Sequence, residues 1–176
     1  MELAQATALI RNDYLQQQGN AVTWADLGCG TGLFTRALAS LLPTGSKVYA
    51  ADKSLSIHST GMQDNGVLIE PVQLDFVAAD ISFGLLDGIL MANSLHFAAD
   101  KDKLIRKLAG SLKTGGCFII VEYDTDAPNR WVPYPVSFRS LQPLFKNAGF
   151  SYIEKLNELP SVYGRANIYT VLVRRS

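Results

Sequence analysis

The chain has little cysteine: two residues in 176, Cys29 in a glycine-rich turn and Cys117 at the head of an apolar run. Two such residues make no disulfide framework and no zinc site, so a reducing cytoplasm is the default setting. It has no surplus of charge either. Sixteen basic residues balance sixteen acidic ones, which gives no support for strong non-specific attraction to nucleic acid or membrane, although a local patch is compatible with it. No apolar run is long enough to span a bilayer, and Asp87 interrupts the best candidate. The N-terminus lacks a basic region followed by an apolar stretch, so no secretion signal is expected. No repeat, low-complexity tract or linker divides the sequence. Residues 1–176 therefore read as one domain, of a length that suits a single full core. Hydrophobic content of 48% against 18% charged fits a compact chain. Nothing in the sequence sets an oligomeric state.

What is present is alternation. Leu3 to about Gln17 reads as a helix with Leu3, Ile10 and Tyr14 along one stripe, stopped by Gly19-Asn20. Val22–Leu27 reads as a buried strand, and Lys47–Asp52 as a second. Ser54 is placed to cap a short helix to about Thr60. A strand follows from about Val72 to Asp75, with Pro71 at its start, where a missing donor is tolerable. Leu86–Ala92 is the next strand. Asp100 is the expected N-cap of a helix carrying Leu104, Ile105, Leu108 and Leu112, closed by Gly115-Gly116. Cys117–Tyr123 is apolar nearly throughout, as a strand covered on both faces should be. Pro143 suggests a helix beginning near Ser140, since proline suits a first turn. Ser151–Lys155 and Ile168–Arg174 are the last strands. The alternation predicts an α/β fold with a mostly parallel sheet and helices on both faces.

The stretch Asp26-Leu27-Gly28-Cys29-Gly30-Thr31-Gly32 joins the first strand to a helical pattern with Leu33, Ala37, Leu38 and Leu41 on one face. Strand, glycine turn and helix build a nucleotide-binding crevice, in which glycines let a ligand approach the main chain. The helix start adds unpaired N–H groups. A dinucleotide fingerprint needs G-x-G-x-x-G, and Leu33 stands where its third glycine would be. The run instead resembles the first motif of class I S-adenosylmethionine-dependent methyltransferases. That resemblance covers almost the whole chain. It implies a Rossmann-like sheet of seven strands, the last antiparallel and inserted beside the fifth, and S-adenosylmethionine as cofactor.

Ligands of open α/β sheets lie outside the carboxyl ends of the strands. Asp52 ends its strand there, and the resemblance assigns it the ribose hydroxyls, although an NAD enzyme would carry an acid similarly. Asp75-Phe76 is the expected adenine contact, with Asp80 the competing acid. Asp26 is expected near the ammonium of the cofactor's methionine end, directly or through water, and Asn93 faces the same region. Lys53 departs from the family's usual apolar residue, though its stem can cover the base. With Gly28, Cys29, Gly30 and Gly32 these are the candidate cofactor residues.

Asn93-Ser94-Leu95-His96-Phe97 resembles the Leu-His-His segment of many small-molecule methyltransferases, with Phe97 in place of the second histidine. It is unlike the Asn-Pro-Pro-Tyr tetrapeptide of enzymes that methylate base amines, and no Pro-Cys nucleophile is present. His96 is a candidate proton acceptor, or a histidine bonded to nearby backbone. Arg130, Trp131 and Tyr134 in one loop, and Tyr163 and Arg165 between the last strands, are candidate acceptor contacts; pinning of a long surface loop is the other reading. The resemblance thus implies methyl transfer to a small molecule. RNA or protein acceptors, or a non-catalytic cofactor-binding role, are the alternatives. Methyl transfer requires no fixed catalytic residue, because the cofactor carries the activated group.

Overall fold

The sheet is built from strands whose alternate residues serve two separate cores. In the computed structural model, which describes residues 1–58, 60–160 and 166–175, β1 (Thr23–Leu27), β2 (Lys47–Asp52), β4 (Leu68–Gln73), β5 (Leu86–Ala92) and β6 (Leu112–Tyr123) run parallel. Their order, with β3 (Gly61–Met62), β7 (Tyr152–Pro160) and β8 (Asn167–Arg174), is β3-β4-β2-β1-β5-β6-β8-β7. The order reverses between β1 and β5, the point where an open α/β sheet leaves a crevice.

Trp24, Val48, Ala50, Leu90, Cys117 and Ile119 point to one face. There they pack against α1 (Leu3–Ile10) and α3 (Leu33–Ala39). Ala25, Leu27, Ile89, Met91, Phe118 and Ile120 point to the other, where α4 (Lys101–Ala109) and α5 (Phe138–Asn147) cover them. A period of two with both faces apolar is what a doubly covered sheet demands. β8 runs antiparallel between β6 and β7, as expected.

Among the described residues the sheet has eight strands, not seven. The extra one, β3, is a two-residue antiparallel edge on β4, too short to leave a periodic signal. The N-terminal helix is broken: Asn12 turns its side chain onto Leu15 N–H and starts α2 (Asp13–Gln16) anew. The described residues of 54–60 form no helix; the Ser54 N–H is taken by Asp52 Oδ1 at 2.9 Å instead. β4 starts at Leu68 and ends at Gln73, so Pro71 lies inside it. Pro71 is exposed beyond the reach of β3, on an edge where a lost donor is tolerated. Gly115-Gly116 does not end a helix but lies in a bulge at the start of β6, between Leu86↔Leu112 and Gly88↔Cys117 pairing. α5 begins at Phe138, capped by Ser137, and carries Pro143 on its exposed side. β7 runs on past Lys155 to Pro160. Asp100 caps α4 as expected, accepting from Lys103 N–H at 2.9 Å. Among the described residues no helix is long and apolar enough to cross a membrane.

Candidate functional site

The glycine turn owes its shape to three left-handed residues, Gly28, Gly30 and Gly32, with φ of 80°, 53° and 86°. They differ in what surrounds them. A Cβ on Gly28 would lie 2.5 Å from Ser94 Cβ, and one on Gly32 would lie 2.6 Å from Ile57 Cγ1. A Cβ on Gly30 would meet nothing within 4 Å. Gly28 and Gly32 are thus glycines because protein packs against them, whereas the main chain at Gly30 is bare. The turn is hung on β2: Gly28 N–H donates to Ala51 O at 2.7 Å, and Gly30 N–H to Asp52 Oδ2 at 2.9 Å.

Asp52 therefore has one oxygen on the turn and the other on Ser54 N–H. Each oxygen keeps a second lone pair for a ligand hydroxyl. Asp26, at the end of β1, is 1% exposed. Its Oδ2 accepts from Thr35 Oγ at 2.6 Å, and its Oδ1 is buried with no partner. Burial, opposed by the Thr35 bond and aided by the Asp52 charge, pushes its carboxyl up to about 7. Asn93, just past β5, takes φ 53° and buries an unpartnered Oδ1. Its N–H donates to Val121 O at 2.8 Å. Two orphaned acceptors on neighbouring strand ends cost about 1–3 kcal/mol each unless a donor reaches them. That donor demand, beside a bare main chain and a carboxylate with spare lone pairs, fits the ammonium and ribose of S-adenosylmethionine. Cys29 is buried in the turn, and burial first, then the Asp26 and Asp52 charges, pushes its thiol up to about 12. It is no nucleophile at neutral pH.

Phe76 is buried and approaches the turn, its ring 3.4 Å from the position of a Gly28 Cβ. Asp75 is exposed and lies past the end of β4. Its Oδ1 accepts from Val77 and Ala78 N–H and forms a tight turn, which Lys107 Nζ closes on Phe76 O and Ala79 O at 2.9 and 2.7 Å. Asp80 and Lys53 are exposed.

On the other side of the crevice Ser94 Oγ donates to Leu27 O at 2.5 Å and locks the β5 loop onto β1. His96 is nine-tenths buried and more, with Nδ1 2.7 Å from Glu122 Oε2 and its N–H on Glu122 Oε1 at 3.1 Å. Glu122 is fully buried near the end of β6. Tyr134 N–H donates to His96 O at 3.1 Å, so the 124–137 loop folds over this pair. Trp131 is 77% exposed and Tyr134 48%, with Arg130 lying 5.6 Å from the Trp131 ring. Tyr163 and Arg165 lie outside the described residues.

Ser94, Thr35, Ile57 and Glu122 escaped the sequence reading. Glu122 alone had left a sign: an acid at the end of a run of apolar residues, Cys117 to Val121. Ser94 and Ile57 act through contacts between distant segments, and Thr35 reaches back from α3 across the glycine turn to Asp26.

Residues 25–120 match the family model described as methyltransferase domain. The chain is 31% identical over 96 residues to trans-aconitate 2-methyltransferase of Pseudomonas aeruginosa, covering 52% of this chain and 32% of that protein. It is 31% identical over 106 residues to the ubiquinone/menaquinone biosynthesis C-methyltransferase UbiE of Escherichia coli, covering 57% and 42%. The chain thus spans less than half the length of these relatives. Among solved structures, the 1,6-didemethyltoxoflavin-N1-methyltransferase of Burkholderia thailandensis, with bound 1,6-didemethyltoxoflavin and S-adenosylhomocysteine, superposes with a TM-score of 0.70 at 17% identity. That match covers 99% of this chain and 78% of that one. The chain belongs to the class I S-adenosylmethionine-dependent methyltransferase family.

Proposed function

We propose that this protein, acting as one domain over residues 1–176, transfers a methyl group from S-adenosylmethionine to a small-molecule acceptor. The observation that carries the reading is the bare main chain at Gly30, with the half-buried Asp52 bonded to its N–H and the buried Asp26 at the end of β1. The relatives' names support it: one is a trans-aconitate methyltransferase, one a C-methyltransferase of ubiquinone/menaquinone biosynthesis, and the solved structure holds 1,6-didemethyltoxoflavin. Two free, buried cysteines accord with a cytoplasmic setting.

When bound, the cofactor supplies a methyl group already activated for in-line displacement. The chain's part is to hold and align. Asp26 and Asn93 offer acceptor oxygens to the ammonium end, and Asp52 offers its spare lone pairs to the ribose. Phe76 presents an apolar ring to the base, with Asp75 accepting from its amine and the Lys53 stem at its edge. Arg130, Trp131 and Tyr134 line the acceptor side, and Tyr163 and Arg165 belong to the same proposal. Alignment of this kind supplies roughly 7–11 kcal/mol of a barrier.

A turnover screen with methyl-labelled S-adenosylmethionine over metabolite, RNA and protein pools tests the reading. Label is expected in the metabolite pool. Label confined to RNA or protein, or binding without any turnover, would contradict it.

A further inference from the structure

The turn that follows β4 is tied down at both ends by other segments. At its head, Leu74 N–H donates to Asp52 O at 2.9 Å, which joins it to the acid beside the glycine turn. Asp75 O then accepts from Ala78 and Ala79 N–H at 3.2 and 2.8 Å, and Asp75 Oδ1 accepts from Val77 and Ala78 N–H. At its tail, Lys107 reaches across from the last turn of α4. Its Nζ donates to Phe76 O, Val77 O and Ala79 O at 2.9, 3.4 and 2.7 Å. An ammonium has three N–H donors, and here all three go to main-chain carbonyls of one turn. The acid sits at the N–H end and the cation at the carbonyl end, each matched to the partial charge it meets. Stability does not ask for the cation. Val77 and Ala79 are exposed, so water would serve their carbonyls, and ordering a lysine costs rotamer freedom. What the lysine adds is a fixed position for the turn. The Phe76 ring is buried and held by the core, whereas Asp75 is exposed. Asp75 Oδ2 makes no hydrogen bond among the described residues.

We propose that Lys107 is a positioning residue of the base subsite, holding Asp75 where its free oxygen meets the 6-amino group of the cofactor's purine. The proposal rests on the methyltransferase reading and adds a selectivity to it: the chain favours a 6-amino purine over a 6-oxo one. An amino group donates to a carboxylate. A 6-oxo oxygen can only accept, so it meets Asp75 as acceptor against acceptor. That choice needs a carboxylate kept at one distance from the base, on a turn that would otherwise be free on its exposed side. The stacking surface of Phe76 does not depend on the lysine in the same way, because the core holds that ring. Lys107 touches neither the base nor a reacting atom; it acts through the turn.

Calorimetric titration with S-adenosylhomocysteine and its deaminated 6-oxo counterpart, S-inosylhomocysteine, reads that selectivity without knowledge of the methyl acceptor. The unaltered protein should prefer the adenine form by about tenfold or more. Lys107→Met keeps the stem and removes the ammonium. It should weaken S-adenosylhomocysteine by about tenfold and the 6-oxo form far less, so that the preference falls below about threefold. Equal weakening of the two ligands, or of neither, overturns the proposal and leaves the methyltransferase reading standing. Hydrogen exchange of the ligand-free protein gives a second readout. The Val77 and Ala78 amides should exchange about tenfold faster in Lys107→Met, with Leu86–Ala92 of β5 unchanged. Unchanged exchange at Val77 and Ala78 overturns the proposal. Faster exchange along β5 as well would mean that Lys107 serves the fold at large, and overturns it too. Binding of neither ligand to the unaltered protein refutes the methyltransferase reading itself, and this inference with it.

Discussion

Thr35 on α3 donates to Asp26 Oδ2 at 2.6 Å, and the other oxygen of that carboxylate is buried without a donor. A half-satisfied, desolvated acid holds its proton to about pH 7. The unfolded chain releases it near the ordinary aspartate value of about 4. Between those values the native state binds more protons than the unfolded state, so stability falls as pH rises and levels off above about 7. Denaturant melts from pH 4.5 to 8 should show this loss, on the order of a few kcal/mol, and Asp26→Asn should flatten it. A profile unchanged by Asp26→Asn would contradict the assignment.

The same acid predicts the pH dependence of cofactor binding. A ligand ammonium beside Asp26 favours its ionised form, so binding below about pH 7 should expel a proton. Calorimetry in buffers of different ionisation heat should detect that release at pH 6. Proton uptake there would be the wrong sign.

Gly88 pairs with Trp24 across β1 and β5, and the Trp24 ring covers it: a Cβ would lie 2.4 Å from Trp24 Cζ2. Trp24 is fully buried. Gly88→Ala should cost about 1–3 kcal/mol or more from overpacking. Part of that loss should disappear in a Trp24→Leu background, a coupling that a double-mutant cycle measures. Additive losses would show that the ring is not the obstacle.

Pro143 lies well inside α5 on its exposed side and leaves Arg139 O without its usual donor. Pro143→Ala should stabilise the protein by about 1–3 kcal/mol. In a chain of this size that is a rise of a few degrees in Tm per kcal/mol, and thermal melts will show it. A lower Tm would mean that the proline shapes α5 in a way the sequence requires.

Much of this was legible where one local cause set the structure. Lys47–Asp52 and Leu86–Ala92 are strands with the expected ends, because each is a mainly apolar run that a polar residue, Asp52 or Asn93, brings to a stop. Asp100 was readable as a cap from its place before a periodic helix. Asn12 shows the opposite case: its side chain breaks a pattern that periodicity alone carries through. Pro143 misled because a first-turn preference yields when the lost bond faces water. In the candidate site, the glycine turn after β1 and Asp52 at the end of β2 were legible from their order in the chain. Ser94 against Gly28 and Ile57 against Gly32 were not; these are meetings of distant segments, which no local pattern encodes. Asp75 was found, but its turn-closing bonds to Val77 and Ala78 were not.

Gly30→Ala tests the central claim most directly. The added methyl meets no protein atom, and the left-handed backbone costs only about 1–2 kcal/mol. The variant should therefore fold, with S-adenosylmethionine titrated calorimetrically into both proteins. The account predicts saturable binding to the unaltered protein, none of NAD, and a loss of tenfold or more in Gly30→Ala, whose Tm falls by only several degrees so that it is fully folded at the titration temperature. Equal affinity in the two proteins would contradict it, because no ligand would then be resting on that stretch of main chain.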